Sequence, residues 1–423
     1  MTGTDPGRPT VALVGALDTK AEEYRFVRDR LRASELATLV VDVGVLGSPR
    51  LEADLSRDRV AAAGGVALDG LVDRHDRNAA MEAMATGAAR LVAERQVAGE
   101  VSAVVVLGGS NAGFVMSRIA PALPFGVPKV LVSTMVAGDT RPYVGTSDLI
   151  MFAPVVDLAG LNSVSAPVLA RAADAVAGML AGAPVPPPPA GARIAATMVG
   201  LTTPLVTAVQ QHVVAGGGEL HVFHCTGTGG RAMEAMIGDG VFDAVADLTP
   251  TELVDAELGG ICTAGPDRMT AAGRRGLPQL VSAGALDMIN FGPRDTVPAR
   301  FAGRRLHQHN PVITLVRTSP EENARIGAVI ATRLNASTGP VEVLVPARGF
   351  SAIAVRGEPF HDPDADRALI AALERDLAPR IPLHVLDLAV NDPEFAAEAI
   401  ATLDRLTGRT HVPPSRPTAL SER

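Results

Sequence analysis

Hydrophobic positions along the chain form short continuous runs, separated by longer stretches with the apolar spacing of amphipathic helices. In the first half of the chain the runs are VALVGA from Val11, LATLVVDVGVL from Leu36, VSAVVVLGG from Val101 and PKVLVST from Pro128. Runs of this length, rich in valine and leucine, predict strands buried on both faces of a sheet.

Helices are predicted between these strands, in KAEEYRFVRDRLR from Lys20 and NAAMEAMATGAARLVAER from Asn78. The alternation of strand and helix, with short glycine-rich joints, predicts right-handed βαβ units and a parallel sheet. The same alternation restarts after a proline-rich stretch, APVPPPPAG, which suits neither a helix nor a central strand.

We therefore predict an N-terminal Rossmann-like nucleotide-binding domain over 1–183 and a linker over 184–191. A second Rossmann-like domain is predicted over 192–408, followed by a disordered tail over 409–423. In the second domain, strands are predicted in ARIAATMVG, ELHVFHC, PQLVSAG, PVITLVRT, VEVLVPA and IPLHVLDLAV, and helices over Thr203–Ala215, Pro320–Leu334, Asp364–Leu377 and Pro393–Leu406.

Composition supports this fold class. The 423 residues are 47% apolar and 3% aromatic, with no tryptophan, which is enough to bury two cores built from aliphatic side chains. The fold class predicted is α/β, with two Rossmann-like doubly wound domains and mainly parallel sheets.

Charge and cysteine content limit the partners and the compartment. The net charge of −8 and the absence of a basic run argue against nucleic acid as a partner. No apolar run is long enough to span a membrane, and the N-terminus has no signal-like core. Two cysteines without a CxxC motif fit a reducing compartment, so we expect a cytoplasmic protein.

The joint after the first strand, Gly15–Lys20, is the first candidate site. A helix N-terminus attracts phosphate, Lys20 would add a full positive charge, and Asp18 could hold a ribose hydroxyl or a magnesium ion. The alternative is structural, because Thr19-x-x-Glu22 is also a capping box that needs no ligand.

Two more joints in the same domain suit an anion. Gly108, Gly109, Ser110 and Asn111 follow VSAVVVL, where glycine lets a ligand approach the backbone; glycine required by the turn alone is the alternative. The long polar loop after PKVLVST could line one side of a cleft, or be an ordinary surface loop.

The second domain has one comparable joint, and several residues there are candidates for other chemistry. The joint could bind a second anion through His224, Thr226, Gly229, Gly230 and Arg231, unless its glycines serve helix packing. His307 and His309, with Asp362 and Asp364 nearby, could bind a divalent metal, although no known ligand spacing supports such a site. His224 is a further histidine that metal-dependent chemistry in this domain could use. Cys225 could act as a nucleophile if a base lay near it; a buried thiol is the commoner case.

Long strings of the sequence resemble one family throughout. VALVGALDTKAEEYRFVRDRL, VVVLGGSNAG, PFGVPKVLVSTMVAGDTRPYVGTSDL, FHCTGTGGRAMEAMI and GALDMINFGPRDTVPARF are similar to the Tm-one-like ATP-binding family. The second joint departs from the family pattern GGSGGT, since Asn111-Ala112-Gly113 follows Ser110.

The resemblance implies ATP on the first domain, with Mg²⁺ as an optional partner, and a homodimer. The ATP site it implies contains Asp18, Thr19, Lys20, Gly108, Gly109, Ser110, Asn111, Thr134, Gly138 and Asp139. We expect a nucleotide-binding protein that uses ATP on an unidentified small molecule between the domains. The alternatives are a nucleotide-controlled regulatory protein without turnover and a metal-dependent lyase or hydrolase in the second domain.

Overall fold

The structure is a computed structural model that describes residues 8–74, 76–182 and 190–408. The chain divides into two compact units, Met1–Pro186 and Pro187–Arg423, here called the first and second units. The predicted tail, 409–423, and all of the predicted linker except 190–191 lie outside the described residues. No helix among the described residues has the length and apolar character needed to cross a membrane.

The first unit is built on a five-stranded parallel sheet. Its strand order is β2-β1-β3-β4-β5, so β1 lies between β2 and β3. The strands are β1 (Thr10–Gly15), β2 (Ala37–Asp42), β3 (Ala103–Gly108), β4 (Lys129–Ser133) and β5 (Leu149–Phe152).

Helices cover both faces of this sheet, because successive β1 residues point to opposite sides. Val11 and Leu13 belong to a core cluster that also contains buried residues of α1 and α7, whereas Ala12 and Val14 pack in a cluster with α4 and α5. The helices are α1 (Ala21–Ala33), α2 (Arg57–Ala63), α3 (Leu68–Arg74), α4 (Arg77–Val97), α5 (Ser110–Ile119), α6 (Arg141–Val144) and α7 (Ser165–Ala181).

The second unit repeats this arrangement on a six-stranded parallel sheet of order β14-β13-β9-β8-β6-β7. The parallel strands are β6 (Arg193–Met198), β7 (Glu219–His224), β8 (Ala244–Asp247), β9 (Gln279–Ser282), β13 (Val341–Pro346) and β14 (Leu383–Leu386). The helices are α8 (Thr203–Ala215), α9 (Thr228–Gly238), α10 (Glu252–Leu258), α11 (Ala271–Arg275), α12 (Pro320–Asn335), α13 (Pro363–Asp376) and α14 (Pro393–Thr407). Both units are α/β with mainly parallel sheets, which confirms the predicted fold class.

A small antiparallel sheet is the exception to the predicted pattern. The run from Pro311 forms β12 (Ile313–Arg317), which lies between β10 (Met288–Phe291) and β11 (Leu306–Asn310) and not in the parallel sheet. Val316 is fully buried opposite Ile289. The expectation of a parallel strand was wrong here, because a short apolar run reports burial and not the direction of its neighbours.

Candidate functional site

A cavity of about 820 Å³ opens at the carboxyl end of the first sheet. It lies at the ends of β1 and β3, neighbours whose onward connections run to opposite sides, and ligands of doubly wound sheets bind at such a switch point. The polar residues that line it are Asp18, Thr19, Lys20, Asp76, Arg77, Ser110, Asn111 and Asp157.

The first joint forms a tight turn that leads into α1. The amides of Thr19 and Lys20 donate to the Ala16 carbonyl at 3.3 and 2.9 Å, and Lys20 is the N-cap, with no side-chain hydrogen bond to the helix. The predicted capping box between Thr19 and Glu22 is therefore not formed, because the helix begins one residue later than that motif requires. The start of α1 is left without a side-chain cap beside the cavity.

Asp18 and Lys20 are held in different ways. Asp18 is buried, with 8% of its surface exposed, and its Oδ2 accepts hydrogen bonds from the amides of Leu46 and Gly47 at 3.2 and 3.1 Å. Its Oδ1 is buried and has no hydrogen-bond partner among the described residues. The Lys20 ammonium donates to the Leu158 carbonyl, so part of its hydrogen-bonding capacity is used within the protein.

The start of α5, at the second joint, also lacks a side-chain cap. Gly109 is the N-cap, again without a side-chain hydrogen bond, and a Cβ built on it would meet Thr134 Oγ1 at 4.0 Å and nothing nearer. Gly108 has φ +148°, a backbone conformation that favours glycine. Backbone amides at this helix start can therefore be approached closely, as phosphate binding requires.

The third loop contributes to the support of the site and not to the lining of the cavity. Ser133 Oγ donates to the Gly109 carbonyl at 3.1 Å, and Thr134 lies beside Gly109. Gly138 and Asp139 are exposed and do not line the cavity. Asp139 is paired with Arg141 at 2.8 Å, and these hydrogen bonds lower the pKa of the Asp139 carboxyl to about 2.

One wall of the cavity was not predicted. Apolar side chains from the loop after β2 and from α3 and α4 form it, together with the charged residues Asp76 and Arg77. The apolar members are Val43, Val45, Leu46, Leu71, Ala80, Met81 and Met84. The sequence predicts α4 as a helix, but its spacing cannot show which part of the apolar face covers the sheet and which faces a cavity.

The glycine-rich joint of the second unit, between β7 and α9, already binds a carboxylate of the protein itself. The amides of Gly227 and Gly230 donate to Glu252 Oε1 at 2.7 and 3.0 Å, and Glu252 is fully buried against Arg268. A Cβ on Gly230 would collide with the Glu252 carboxylate. The expected second anion site is thus filled by an internal carboxylate.

The other candidates in this joint have internal roles or are exposed to solvent. Arg231 donates to the Thr263 carbonyl at 3.2 Å, and a Cβ on Gly229 would collide with the His224 carbonyl. His224 and Thr226 are exposed.

The end of β6, the matching switch point of the second sheet, is covered by later segments. The Leu201 carbonyl accepts hydrogen bonds from the Ala352 amide at 3.1 Å and from Asn391 Nδ2 at 2.9 Å. Ile353 and Phe360 belong to an apolar cluster that packs on Leu201. A ligand at this position would have to displace the protein's own core.

The alternative chemistry of the second unit finds little support. His307 and His309 lie on β11 of the small antiparallel sheet, whereas His224 ends β7. In the described ranges no group of three or more His, Cys, Asp or Glu side chains is arranged to hold a metal ion. Cys225 is buried, and burial raises the pKa of its thiol. A thiol in this state is typical of a structural cysteine and not of a nucleophile.

Comparison with known proteins places both units in one family. Residues 9–184 match the N-terminal domain of the uncharacterised protein family UPF0261, and residues 191–407 match the C-terminal domain of that family. A UPF0261 protein of Clostridium tetani is 41% identical, with 91% of this chain and 96% of that protein aligned. A UPF0261 protein of Mesorhizobium japonicum is 42% identical over 93% of this chain and 98% of its own length.

A plant protein is more distant. The tomato ToMV resistance protein Tm-1(GCR237) is 35% identical over 92% of this chain, which corresponds to 54% of the tomato protein. Since the family models together match nearly the whole chain, it belongs to the Tm-one-like family UPF0261, as the resemblance of its sequence implied.

Proposed function

We propose that the first unit binds a nucleoside phosphate, with ATP as the leading candidate, in the cavity at the end of β1 and β3. The observation that carries the proposal is that α1 and α5, helices of 13 and 10 residues, both begin at this cavity without a side-chain cap. Helix starts of this kind offer free amide donors and a partial positive charge to a phosphate group.

The remainder of the cavity suits the rest of a nucleotide. Met81, Met84 and Leu71 give an apolar wall for the base, and about 820 Å³ lies within the range of small-molecule sites. Asp18 and Asp157 also line the cavity, and carboxylates at this position favour a nucleotide that brings Mg²⁺ with it. Asp18 would otherwise accept a hydrogen bond from a ribose hydroxyl.

Titration calorimetry with MgATP tests the proposal through a matched pair of glycine variants. Gly109→Ala places a methyl group at the bare backbone of the second joint, where it meets no protein atom nearer than 4.0 Å. Gly138→Ala places the same methyl in the third loop, 3.7 Å from the Met135 carbonyl and outside the cavity. We expect Gly109→Ala to weaken ATP binding by about tenfold or more, because the methyl blocks the approach of phosphate oxygens.

Gly138→Ala should bind ATP as the unmodified protein does, because Gly138 does not line the cavity. An equal loss in both variants would contradict the location of the site. An unmodified protein that gives no heat at millimolar MgATP would contradict nucleotide binding itself.

A second candidate function is regulation of another protein by a bound nucleotide that is not consumed. Two tomato relatives, each 35% identical to this chain, are named as a ToMV resistance protein and a ToMV susceptible protein, and neither name gives an enzyme activity. Release of phosphate or AMP in the presence of a small-molecule substrate distinguishes an enzyme from such a regulator. The homodimer and the cytoplasmic location stay predictions.

A further inference from the structure

One segment of the second unit, residues 348–362, covers the switch point at the end of β6. This covering segment follows β13 and leads into α13. Ser351 and Phe360 are fully buried within it, and the Ala352 amide donates to the Leu201 carbonyl at 3.1 Å. The contacts that hold the covering segment therefore decide whether a molecule can reach the end of β6.

Arg317, the last residue of β12, is buried and anchors the far end of the covering segment. Its guanidinium donates to the Phe360 carbonyl at 2.7 Å and to the Asp362 carbonyl at 3.2 Å. It also donates to the carboxylate of Asp366, on α13, at 2.5 Å. One side chain of the small antiparallel sheet thus binds both the covering segment and the helix that follows it.

The buried carboxylate of Asp287 anchors the near end of the covering segment. Asp287 precedes β10, and its Oδ2 accepts a hydrogen bond from Ser351 Oγ at 2.8 Å. Its Oδ1 is buried and has no hydrogen-bond partner among the described residues. Arg317 lies beside it and donates to the Asp287 carbonyl at 3.3 Å. The covering segment is therefore held at both ends by one cluster of charged groups, Asp287, Arg317 and Asp366.

This cluster carries an excess negative charge when both of its carboxyls are ionised. Asp287, Arg317 and Asp366 are each at most 3% exposed, and one guanidinium balances only one carboxylate. An unbalanced buried charge is costly, so the closed cluster favours a bound proton. Burial raises the pKa of both carboxyls, that of Asp366 to about 7.

The other titratable groups beside the cluster do not supply the missing positive charge. Asp362 also faces Asp366 and opposes its ionisation, and Asp362 is itself paired with Arg305 at 3.6 Å. The His307 ring packs edge-on against the Phe360 ring, with 6.2 Å between the ring centroids. A proton on one of the two buried carboxyls is the simplest way to balance the cluster.

We propose that Asp287 and Asp366 share one proton, and that loss of this proton releases the covering segment and makes the end of β6 accessible. With the proton bound, Arg317 balances the remaining carboxylate, and both ends of the segment stay anchored. Without it, two carboxylates face one guanidinium, and opening of the segment brings water to the excess charge. This closure is independent of the proposed nucleotide site.

The sign of the pH dependence follows from the proton. The closed segment binds it more tightly than the open segment, in which a carboxyl has its ordinary pKa of about 4. The proton therefore stabilises the closed segment fully below about pH 4, and this stabilisation is lost as the pH rises towards about 7.

Native-state hydrogen exchange of peptides within 348–362 tests the proposal, under conditions where exchange follows the opening equilibrium. After correction for the intrinsic effect of pH on exchange, opening should increase about tenfold per pH unit between about pH 5 and 7, as one proton requires. Asp287→Asn keeps an acceptor for Ser351 but removes the excess charge, so opening should become independent of pH. Asp366→Asn should give the same flat profile, because either substitution leaves one carboxylate for Arg317.

Asp387→Asn is the matched control, because Asp387 is exposed and pairs with Arg348 of the same segment. It should keep the full pH dependence, and so should Asp255→Asn, whose carboxyl lies outside the cluster. A flat profile in the unmodified protein, or a tenfold dependence that survives in Asp287→Asn or Asp366→Asn, would overturn the shared proton. Loss of the dependence in Asp255→Asn would show that the segment opens only when the whole unit unfolds, and would overturn the local closure.

Discussion

At the scale of single residues, Tyr24 fixes the geometry of the candidate site. Its hydroxyl is buried where β1 and β3 end; it donates to the Val14 carbonyl and accepts a hydrogen bond from the Leu107 amide at 2.9 Å. Its ring fills the space above Gly15, where a Cβ would collide with it. One side chain of α1 therefore holds together the two strands whose joints form the cavity.

Tyr24→Phe should destabilise the protein by about 1–3 kcal/mol, because it leaves the Leu107 amide buried without its acceptor. It should also weaken ATP binding, since the two joints lose their common anchor. Urea unfolding and calorimetry measure the two effects. Tyr143, the other tyrosine of the chain, is half-buried and packs on Gly113, and Tyr143→Phe should change stability far less. Equal stability of Tyr24→Phe and the unmodified protein would contradict the anchoring role.

Asp255 gives the second unit a defined dependence on pH. It accepts hydrogen bonds from the amides of Cys262 and Asn290, both at 2.8 Å, but burial raises the pKa of its carboxyl to about 7. Between about pH 4 and 7 the folded protein therefore binds more protons at this group than the unfolded chain does. The contribution of Asp255 to the free energy of unfolding is therefore fully present below about pH 4 and is lost as the pH rises towards about 7.

We expect the free energy of unfolding to fall over this range with a contribution of about one proton from Asp255. In Asp255→Asn this contribution should disappear, which urea unfolding at a series of pH values would reveal. Asp387 is exposed, and its pairing with Arg348 lowers the pKa of its carboxyl. Asp387→Asn should therefore leave the slope between about pH 4 and 7 unchanged; an unaltered slope in Asp255→Asn would refute the prediction.

At the scale of elements, the N-termini of two helices distinguish a structural cap from a binding position. Ser319 accepts a hydrogen bond from the Glu322 amide, and the Glu322 side chain accepts one from the Ser319 amide, so α12 begins with a complete capping box. The similar motif at Thr19 forms no such box. The two motifs look alike in the sequence but play different parts in the fold.

Ser319→Ala should reduce the free energy of unfolding by about 1 kcal/mol, because the first turn of α12 loses an acceptor. Thr19→Ala should reduce the free energy of unfolding by only about a few tenths of a kcal/mol, because Thr19 is exposed and is not the N-cap of α1. Urea unfolding of both variants measures the difference. A loss in Thr19→Ala as large as that in Ser319→Ala would show that a cap forms in solution.

Helix bounds were predictable to within about one residue where cap signals are strong. α8 spans the predicted Thr203–Ala215, where Pro204 and Gly216 mark the two ends. α12 begins at the predicted Pro320 and ends one residue beyond the predicted Leu334. β8 was missed because its four residues, Ala244–Asp247, lie in a run broken by aspartates and offer too short a pattern. The direction of β12 relative to its neighbouring strands could not be predicted, since it depends on the partners with which the strand pairs elsewhere in the chain.

At the scale of the whole molecule, the two units share a strand order but not an open switch point. The joints after β3 and β7 are both glycine-rich and both lead into helices, so the sequence favours an anion at each. The difference between them comes from residues that are distant in sequence. Glu252 accepts hydrogen bonds from the amides of the joint after β7, and Ile353 and Phe360 help cover the end of β6. Sequence reasoning could locate the joints, but it could not tell which amides the protein itself would use.

Hydrogen exchange should make this asymmetry visible. Saturating MgATP stabilises the state that binds it, so exchange should slow in peptides that contain Gly15–Lys20, Val43–Gly47 and Gly108–Gly113. The Gly227–Arg231 joint should exchange at an unchanged rate, because its amides already donate to Glu252. Gly109→Ala should abolish the slowing at the same nucleotide concentration. Protection centred on the Gly227–Arg231 joint would instead mean that a nucleotide can displace an internal carboxylate, and the division of roles between the two units would have to be reversed.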